Sequence, residues 1–570
     1  MSTTLPVINR QPELVGQLLS EQQELSAVDQ FSAWHVDHEQ ADVVPAPAQE
    51  QYYRSLLPAT APGPGQQFAF EVDLNSCSGC KACVVACHTM NGLEEDESWR
   101  RVGTLLIGDP DFAQPAAIQH VTTACHHCED PGCLNGCPVK AYDKDPVTGI
   151  VRHLDDQCIG CKYCTMMCPY EVPQYSKRLG IVRKCDMCHQ RLSVGEAPAC
   201  VQSCPNEAIK ITIVPTQSAP AAAHDSVVPS APTSSITRPT TKYVSQYAID
   251  PTQARPQDEN VDEVAESHWP LALMLVATQV SVGVLISELL ATMVLSVAGY
   301  NVPASVPLAA ALVAFAIGNA GLGIAPLHLG QPLRMWRVFL GLRTSWLSRE
   351  AVVLAKYMGA LAGAIALMAL PLVWDWIPTA VQAWIPLEWI PDWAGRALLV
   401  LAIPVGLTGL YCSAMIYIAT KRQLWRAGRT LPRFFATTLA AGPVITAAVF
   451  AFSGFAATAA VLSLASAAVM AWKWNLETAV YLRDNRSGDA YDRRSKRLIW
   501  RDLAVAARLR AACAAAAVAL CVAAGLVSFV APLAGGVIAV LAALVLVGGE
   551  NLERVLYFQS VVYDRMPGTF

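Results

Sequence analysis

Charged residues are scarce in this chain of 570 residues, at 15% of the sequence, and the formal net charge is only −5. This charge balance gives no electrostatic reason to bind a polyanion, so we expect no nucleic acid among the partners. The first 66 residues lack the apolar segment of a secretory signal and lack paired arginines, so no export signal is predicted. We therefore expect a reducing compartment, in which clustered cysteines bind metal rather than form disulfides.

Long uncharged runs occupy the second half of the chain, which is rich in Ala, Leu and Val. Eight of these runs are long enough to cross a bilayer, which takes about 20 helical residues. They lie at 269–297, 304–327, 350–373, 396–420, 434–455, 457–481, 506–530 and 533–553. The sequence predicts an all-α bundle of eight transmembrane helices, because a helix satisfies its own backbone polar groups in lipid.

Basic residues are concentrated on one side of this predicted bundle. Sixteen Lys and Arg residues lie in the loops after helices two, four and six, whereas the opposite loops hold only Arg396. By the positive-inside rule, the basic loops and the preceding cysteine-rich domain face the cytoplasm of a bacterial inner membrane. An outer aromatic belt is expected from Trp374, Trp376, Trp384, Trp389 and Trp393.

Sixteen of the 19 cysteines fall into four groups of four. The groups are Cys77, Cys80, Cys83 and Cys87; Cys125, Cys128, Cys133 and Cys137; Cys158, Cys161, Cys164 and Cys168; and Cys185, Cys188, Cys200 and Cys204. A cubane takes three thiolates from one tight loop and a fourth from a distant loop. The spacing therefore predicts four [4Fe–4S] clusters. Structural zinc, the alternative, usually takes paired cysteines separated by a dozen or more residues.

These features divide the chain into four predicted units. Residues 1–66 form an N-terminal arm with a short helix at 22–34, either a disordered tail or a docking arm. Residues 67–214 form an α+β tandem ferredoxin-like domain, since short β-like runs flank the cysteine loops. Residues 215–265, rich in Pro, Ser and Thr, are interpreted as a linker. Residues 266–570 form the transmembrane bundle.

The cysteine domain resembles the four-cluster subunit of the dimethyl sulfoxide reductase family of molybdenum oxidoreductases. The resemblance lies in Cys158-Ile-Gly-Cys-Lys-Tyr-Cys-Thr-Met-Met-Cys-Pro169, Arg183-Lys-Cys-Asp-Met-Cys188 and Glu196-Ala-Pro-Ala-Cys-Val-Gln-Ser-Cys-Pro205. It implies that group one pairs with group four, and group two with group three. The four implied ligand sets are Cys77, Cys80, Cys83 with Cys204; Cys185, Cys188, Cys200 with Cys87; Cys125, Cys128, Cys133 with Cys168; and Cys158, Cys161, Cys164 with Cys137.

The loop after helix two resembles the eight-helix anchor of the same family. It reads His328-Leu-Gly-Gln-Pro-Leu-Arg334 and then Ser345-Trp-Leu-Ser-Arg-Glu350. The resemblance implies a quinone site at the membrane face, with His328 and Glu350 in it and Arg334 and Arg349 beside it. Quinol oxidation releases two protons, which suits a histidine and a carboxylate. A purely interfacial His328, or a salt bridge from Glu350 to either arginine, is the alternative.

Other ionisable groups in the predicted spans are functional candidates, because charge is costly in lipid. Lys473 and Glu477 stand one helical turn apart, so mutual pairing is the simpler interpretation. The anchor offers only His268 and His328, both near helix ends, and we expect no haem.

The sequence thus predicts an electron-transfer and membrane-anchor subunit, itself non-catalytic, that links the quinone pool to a separate molybdopterin-containing catalytic subunit. The same path in reverse would serve a cytoplasm-facing sulfite:quinone dehydrogenase, which the absence of an export signal favours. A membrane transporter with a redox-sensing domain is the third hypothesis. It would need internal repeats and broken helices at the bilayer midplane, and no such symmetry is visible.

Overall fold

The computed structural model describes residues 50–108, 115–216, 226–247, 250, 252–382, 390–481, 490–563 and 565–569. The helix expected at 22–34 lies outside these residues. So do Trp384 and Trp389 of the expected aromatic belt, and Arg483 and Arg486 of the basic loops.

The cysteine domain combines short strands with short helices, as predicted for an α+β domain. Its strands are β1 (Gln66–Asp73), β2 (Arg101–Gly108), β3 (Pro115–Thr123), β4 (Tyr142–Lys144), β5 (Val151–His153), β6 (Gln174–Ser176), β7 (Ile181–Arg183), β8 (Ile209–Pro215), β9 (Lys242–Val244) and β10 (Ala254–Pro256). Its helices are α1 (Glu50–Tyr53), α2 (Ala82–Met90), α3 (Gly132–Gly136), α4 (Tyr163–Met167), α5 (His189–Ser193) and α6 (Ala199–Gln202). The strands form sheets β8-β1-β9 and β10-β2-β3 and hairpins β4-β5 and β6-β7.

The predicted linker contributes strands to both sheets of the cysteine domain. Strand β9 runs parallel to the end of β1, with Glu71 opposite Lys242, and β10 pairs with β2 in antiparallel register. Val228 and Ala231 are buried beside Val72. The linker interpretation is therefore wrong for residues 226–256. Strands of three residues are too short to show alternation, and they form here because β1 and β2 offer unpaired backbone groups.

Eight described helices are long and apolar enough to cross a membrane, which confirms the predicted bundle. They are α7 (Trp269–Val297), α8 (Ser305–Ile324), α9 (Trp346–Val373), α11 (Ala394–Ile418), α12 (Ala427–Phe452), α13 (Ala456–Tyr481), α15 (Ala504–Val530) and α16 (Pro532–Gln559). The shorter α10 (Thr379–Gln382) and the amphipathic α14 (Ala490–Arg501) lie between spans. Helix α9 begins four residues before its predicted span, so Glu350 is its fifth residue and lies beyond the first turn.

The end of the chain returns to the cysteine domain after the last span. Met566 is buried beside Val72 and Leu105, and the Gly568 amide donates to the Asp258 carboxylate at 2.8 Å. The Tyr563 hydroxyl donates to Glu171. The cysteine domain and the bundle are therefore joined at two sequence-distant places, before α7 and after α16.

Small residues bring the spans into backbone contact. A Cβ atom on Gly283 of α7 would overlap the carbonyl oxygen of Thr438 on α12, and one on Gly442 would overlap the backbone of Gly283. Such close crossings supply the van der Waals contact that holds helices together where lipid removes the hydrophobic driving force.

We expect Gly283→Leu to destabilise the bundle, because the overlap is with backbone that cannot move aside. Overpacking of this kind costs about 1–3 kcal/mol or more. Thermal denaturation of the detergent-solubilised protein, followed by size-exclusion chromatography, measures the effect. Gly359→Leu on α9 is the matched control, since a Cβ atom there meets nothing within 4 Å. Equal melting temperatures for the two variants would contradict the packing argument.

Candidate metal centres

The four cysteine loops share one backbone geometry. The second residue after the first cysteine has a positive φ in every group: Gly79 at 74°, His127 at 41°, Gly160 at 69° and Met187 at 60°. This left-handed turn directs backbone amides toward sulfur. Gly160 donates to Cys158 Sγ at 3.4 Å, and Met187 donates to Cys185 Sγ at 3.4 Å.

The third cysteine of each group is the second residue of a short helix. Cys83 lies in α2, Cys133 in α3, Cys164 in α4 and Cys200 in α6. The first-turn amides of a helix have no partner within the helix, so they are available to an anionic group at that end.

The fourth cysteine accepts a hydrogen bond from the amide four residues later. Ala141 donates to Cys137 Sγ at 3.2 Å, and Ala208 donates to Cys204 Sγ at 3.3 Å. Group one departs from this pattern, because α2 continues through Cys87 and no proline turns the chain. Asn91 Nδ2 lies 3.6 Å from Cys87 Sγ instead. Position 88 lies inside this helix, where proline would be unfavourable, so His88 stands where the other groups have proline.

The structure brings distant cysteine groups together. One cavity is lined by Cys77, Cys80, Cys83 and Cys204, and another by Cys125, Cys128, Cys133 and Cys168. Cys87 lies close enough to Cys188 and Cys200 for their charges to interact, and Cys137 is likewise close to Cys158 and Cys161.

The cysteine cavities fit a group larger than a single ion. Four thiolates about 2.3 Å from one zinc ion would lie within about 4 Å of one another. Among the described residues, no group of three or more His, Cys, Asp or Glu closes tightly enough to hold a metal ion. Burial raises the pKa of the Cys137 and Cys168 thiols to about 11, so metal must displace their protons. Wider cavities with sulfur-directed amides fit iron–sulfur clusters better than zinc.

Two buried cations lie between neighbouring cysteine sets. Arg100, 1% exposed, donates to Thr122 Oγ1 at 3.1 Å, and that hydroxyl lies 3.5 Å from Cys83 Sγ. The charge of Arg100 also interacts with Cys200, which belongs to a different implied set. Lys184, 2% exposed, donates to the Cys185 carbonyl at 2.8 Å and lies 3.6 Å from Cys125 Sγ.

The third cysteine loop rests directly on the loop that follows the second span. Gln331 donates its amide to the Ile159 carbonyl at 3.0 Å. A Cβ atom at Gly330 would overlap the Gly180 carbonyl oxygen, and one at Gly160 would overlap the same oxygen. Tyr163 donates to the Ile416 carbonyl at 2.9 Å, and its ring packs in the same buried cluster as residues of the spans.

Arg334 and Arg349, the two arginines expected beside a quinone, bind backbone carbonyls. Arg334 donates to Asp155 at 3.1 Å and to Cys158 at 3.2 Å. Arg349 donates to Leu342 and Arg343 at the start of α9. Among the described residues neither arginine forms an ion pair with Glu350, so the salt-bridge alternative is wrong. Both guanidinium groups already donate to backbone carbonyls, so neither forms the expected contact with the Glu350 carboxylate.

His328 and Glu350 flank the same cysteine loop, each with an unused polar atom. The His328 Nδ1 donates to the Ala325 carbonyl, while its buried Nε2 has no hydrogen-bond partner within the described residues. Glu350 is 5% exposed, and its Oε1 likewise lacks a partner among them. The charge of His328 interacts with Lys162, and that of Glu350 with Tyr163, the next residue in the loop.

Sequence reasoning did not predict Lys162, Glu266 or Ser413 around this pair, and it considered His268 only as a haem ligand. Lys162 Nζ contacts Glu266 at 2.6 Å, and burial lowers the pKa of the adjacent His268 to about 4. Ser413, on α11, lies beside the Glu350 side chain, and its hydroxyl donates to the Gly409 carbonyl at 3.1 Å. Lys162 lies inside the quoted cysteine motif, but nothing in its spacing indicates a membrane-facing position.

Comparison with known families matches both halves of the chain. Residues 116–213 match the family described as 4Fe-4S dicluster domain. Residues 264–559, just over half of the chain, match the family described as DMSO reductase anchor subunit (DmsC). The first match assigns iron–sulfur clusters to the cysteine domain, and the second assigns a multi-pass membrane anchor to the bundle.

Individual relatives cover the cysteine domain. The B subunit of the anaerobic dimethyl sulfoxide reductase of Escherichia coli (strain K12) is 39% identical over 148 residues, which cover 25% of this chain and 72% of the relative. The Haemophilus influenzae protein of the same name is 34% identical over 180 residues, which cover 30% of this chain and 87% of that relative. The iron-sulfur subunit of the nitrate-inducible formate dehydrogenase of Escherichia coli (strain K12) is 37% identical over 152 residues. These cover 24% of this chain and 51% of that relative.

We expect Lys184→Met to lower the midpoint potentials of the two flanking clusters. A cation stabilises the more negative, reduced cluster. At about 8 Å and an effective dielectric constant of about 20 its attraction is about 2 kcal/mol, or on the order of 90 mV for one electron. Redox titration followed by electron paramagnetic resonance measures the shift. Lys177→Met is the control, since that side chain is 82% exposed. Unchanged potentials at full iron content would contradict the electrostatic role.

Proposed function

The protein belongs to the DMSO reductase anchor subunit family, with an iron–sulfur domain fused to the anchor, and we propose that it links a membrane quinone pool to a separate molybdopterin-containing catalytic subunit. Electrons would pass through four [4Fe–4S] clusters. One observation carries the proposal: the loop holding Cys158, Cys161 and Cys164 lies against the loop holding His328.

The proposed ligand sets pair sequence-distant groups. Cys77, Cys80 and Cys83 with Cys204 hold cluster one, and Cys185, Cys188 and Cys200 with Cys87 hold cluster two. Cys125, Cys128 and Cys133 with Cys168 hold cluster three, and Cys158, Cys161 and Cys164 with Cys137 hold cluster four. Two cavities with these linings support the first and third sets. Mutual charge interactions of the cysteines support the other two sets.

The side chains that lie between the sets support an order from one to four. Arg100 interacts with Cys83 of set one and Cys200 of set two, and Lys184 lies beside sets two and three. Tyr142 interacts with Cys133 of set three and Cys164 of set four. Cluster four therefore lies at the membrane end of the proposed path, and cluster one is the exit toward the partner.

His328 and Glu350 are the proposed acid–base pair of the quinone site. Oxidation of a quinol to a quinone releases two electrons and two protons. The unused Nε2 of His328 is a suitable acceptor for one proton, and the Glu350 carboxylate is suitable for the other. Arg334 and Arg349 would shape the loop around the site through the carbonyls they bind.

The cysteine domain is proposed to face the cytoplasm of a bacterial inner membrane. In the sequence, sixteen basic residues fall in the predicted loops after helices two, four and six, against one in the opposite predicted loops. Arg334 and Arg337, from the first basic loop, donate to carbonyls of Asp155 and Asp156 in that domain. This sidedness favours a cytoplasmic catalytic partner, such as a sulfite dehydrogenase that delivers electrons to quinone, as the second candidate. The opposite direction, from quinol to a sulfoxide reductase, uses the same residues.

Cluster number and pairing can be tested on anaerobically purified protein. We expect about 16 iron and 16 sulfide atoms per chain. Cys204→Ser and Cys80→Ser should abolish or perturb the same electron paramagnetic resonance signal, because both residues serve cluster one. Cys188→Ser should affect a different signal, that of cluster two. Zinc without iron, or a shared signal for Cys204→Ser and Cys188→Ser, would refute the ligand sets.

The quinone site can be tested in the complex with its catalytic partner. We expect His328→Gln and Glu350→Gln to slow quinol-dependent cluster reduction by about 10²–10⁴-fold, the usual contribution of a general acid or base. Dithionite should still reduce every cluster, because the clusters themselves are untouched. Glu259→Gln, an exposed carboxylate of the cysteine domain, is the control. Full activity in both site variants would exclude these residues from the quinone chemistry.

A further inference from the structure

The loop between the second and third spans carries a row of exposed apolar side chains. Its centre is a 3-10 helix, Pro332–Gly341. Leu333 is 93% exposed, Trp336 60% and Phe339 47%. A 3-10 helix has three residues per turn, so these three side chains form one row along it, here called the apolar row. Single exposed apolar residues are common on a protein surface, whereas a contiguous row marks a contact site.

A neighbouring side of the same helix binds the cysteine domain. Arg334 and Arg337 each follow a member of the apolar row, so they form a second row a third of a turn away. Arg334 donates to the Cys158 carbonyl at 3.2 Å, and Arg337 donates to the Asp156 carbonyl at 2.8 Å. The loop is thus fixed to the cysteine domain through its arginines, and the apolar row stays uncovered within the described residues.

Both ends of the loop are ends of membrane spans. The second span ends at His328 and the third begins at Trp346. Exposed apolar side chains continue along the chain toward both spans, since Leu327 is 68% exposed and Leu342 is 40% exposed. The spans belong to a membrane anchor whose outer surface faces lipid. The apolar row therefore continues a surface that already contacts the bilayer.

The charges of this loop are not balanced within it. Residues 328–349 contain no acidic residue and four arginines, Arg334, Arg337, Arg343 and Arg349. Inside the bundle opposite charges do pair, since Lys473 lies 3.0 Å from Glu477, which confirms the predicted pair. Arg343 is exposed in the loop. An arginine-rich segment with an exposed indole fits the headgroup level of an anionic bilayer, because arginine attracts phosphate and indole rings favour this level.

We propose that the apolar row is a lipid-binding surface. The 3-10 helix lies in the plane of the membrane, and Leu333, Trp336 and Phe339 insert at the boundary between phospholipid headgroups and acyl chains. Because the same helix binds the third cysteine loop through Arg334, it attaches the cysteine domain to the bilayer as well as to the bundle. This role concerns lipid alone and holds whether or not a quinone reacts at His328.

Site-specific photocrosslinking tests this surface. Leu333 and Trp336 are replaced, one at a time, by p-benzoylphenylalanine in the full-length protein, in nanodiscs of phosphatidylethanolamine and phosphatidylglycerol. Mass spectrometry after irradiation detects peptides that carry lipid. We expect lipid adducts at both positions to be about tenfold more abundant than at Val194, which should lie outside the headgroup region. Val194 is the matched control at 62% exposed, and Leu544, 66% exposed on α16, is the positive control.

The crosslinked products decide between the possible occupants of the row. Lipid adducts at Leu544 without adducts at positions 333 and 336 would overturn the proposal. A crosslink from the row to a second copy of the chain would overturn it too, as would one to the catalytic partner in the assembled complex, because that protein would then cover the row. Iron content shows whether each variant has folded. Should one variant fail to incorporate iron, the other decides the result.

Discussion

The contact of three glycines is the constraint on which the rest of this structure depends. Gly160 belongs to a cysteine loop, Gly180 to the adjoining hairpin turn, and Gly330 to the loop after the second span. A side chain at Gly160 or Gly330 would push the cysteine domain off the bundle, because the groups it would meet are backbone. This steric fit holds the third cysteine loop directly against the loop that carries His328.

Buried charge is organised differently in the cysteine domain and in the transmembrane bundle. In the cysteine domain Arg100 and Lys184 are isolated cations beside thiol groups, so their charge acts on whatever negative group the cysteines bind. In the bundle, Lys473, Arg510 and their carboxylates largely neutralise one another, as the cost of charge in lipid demands. His328 and Glu350, beside the third cysteine loop, each keep a buried polar atom without a hydrogen-bond partner within the described residues.

Sequence reasoning succeeded where the signal was local and repeated. Eight apolar runs predicted eight spans, because a helix in lipid needs only its own backbone bonds. It failed at residues 226–256, whose short strands exist only because β1 and β2 present unpaired edges. It also left open the partner of Glu350, since Arg334 donates to the Cys158 carbonyl of the cysteine domain and Arg349 donates to the Arg343 carbonyl just before its own helix.

Cysteine spacing and uncharged length by themselves determined that this protein joins metal-binding loops to a membrane bundle. Both properties are local to a short stretch of sequence, and neither depends on which other segments pack against that stretch. Only the tertiary structure decided which loop meets the membrane, because Gly330 and Tyr163 find their partners about 150 residues or more away in the chain.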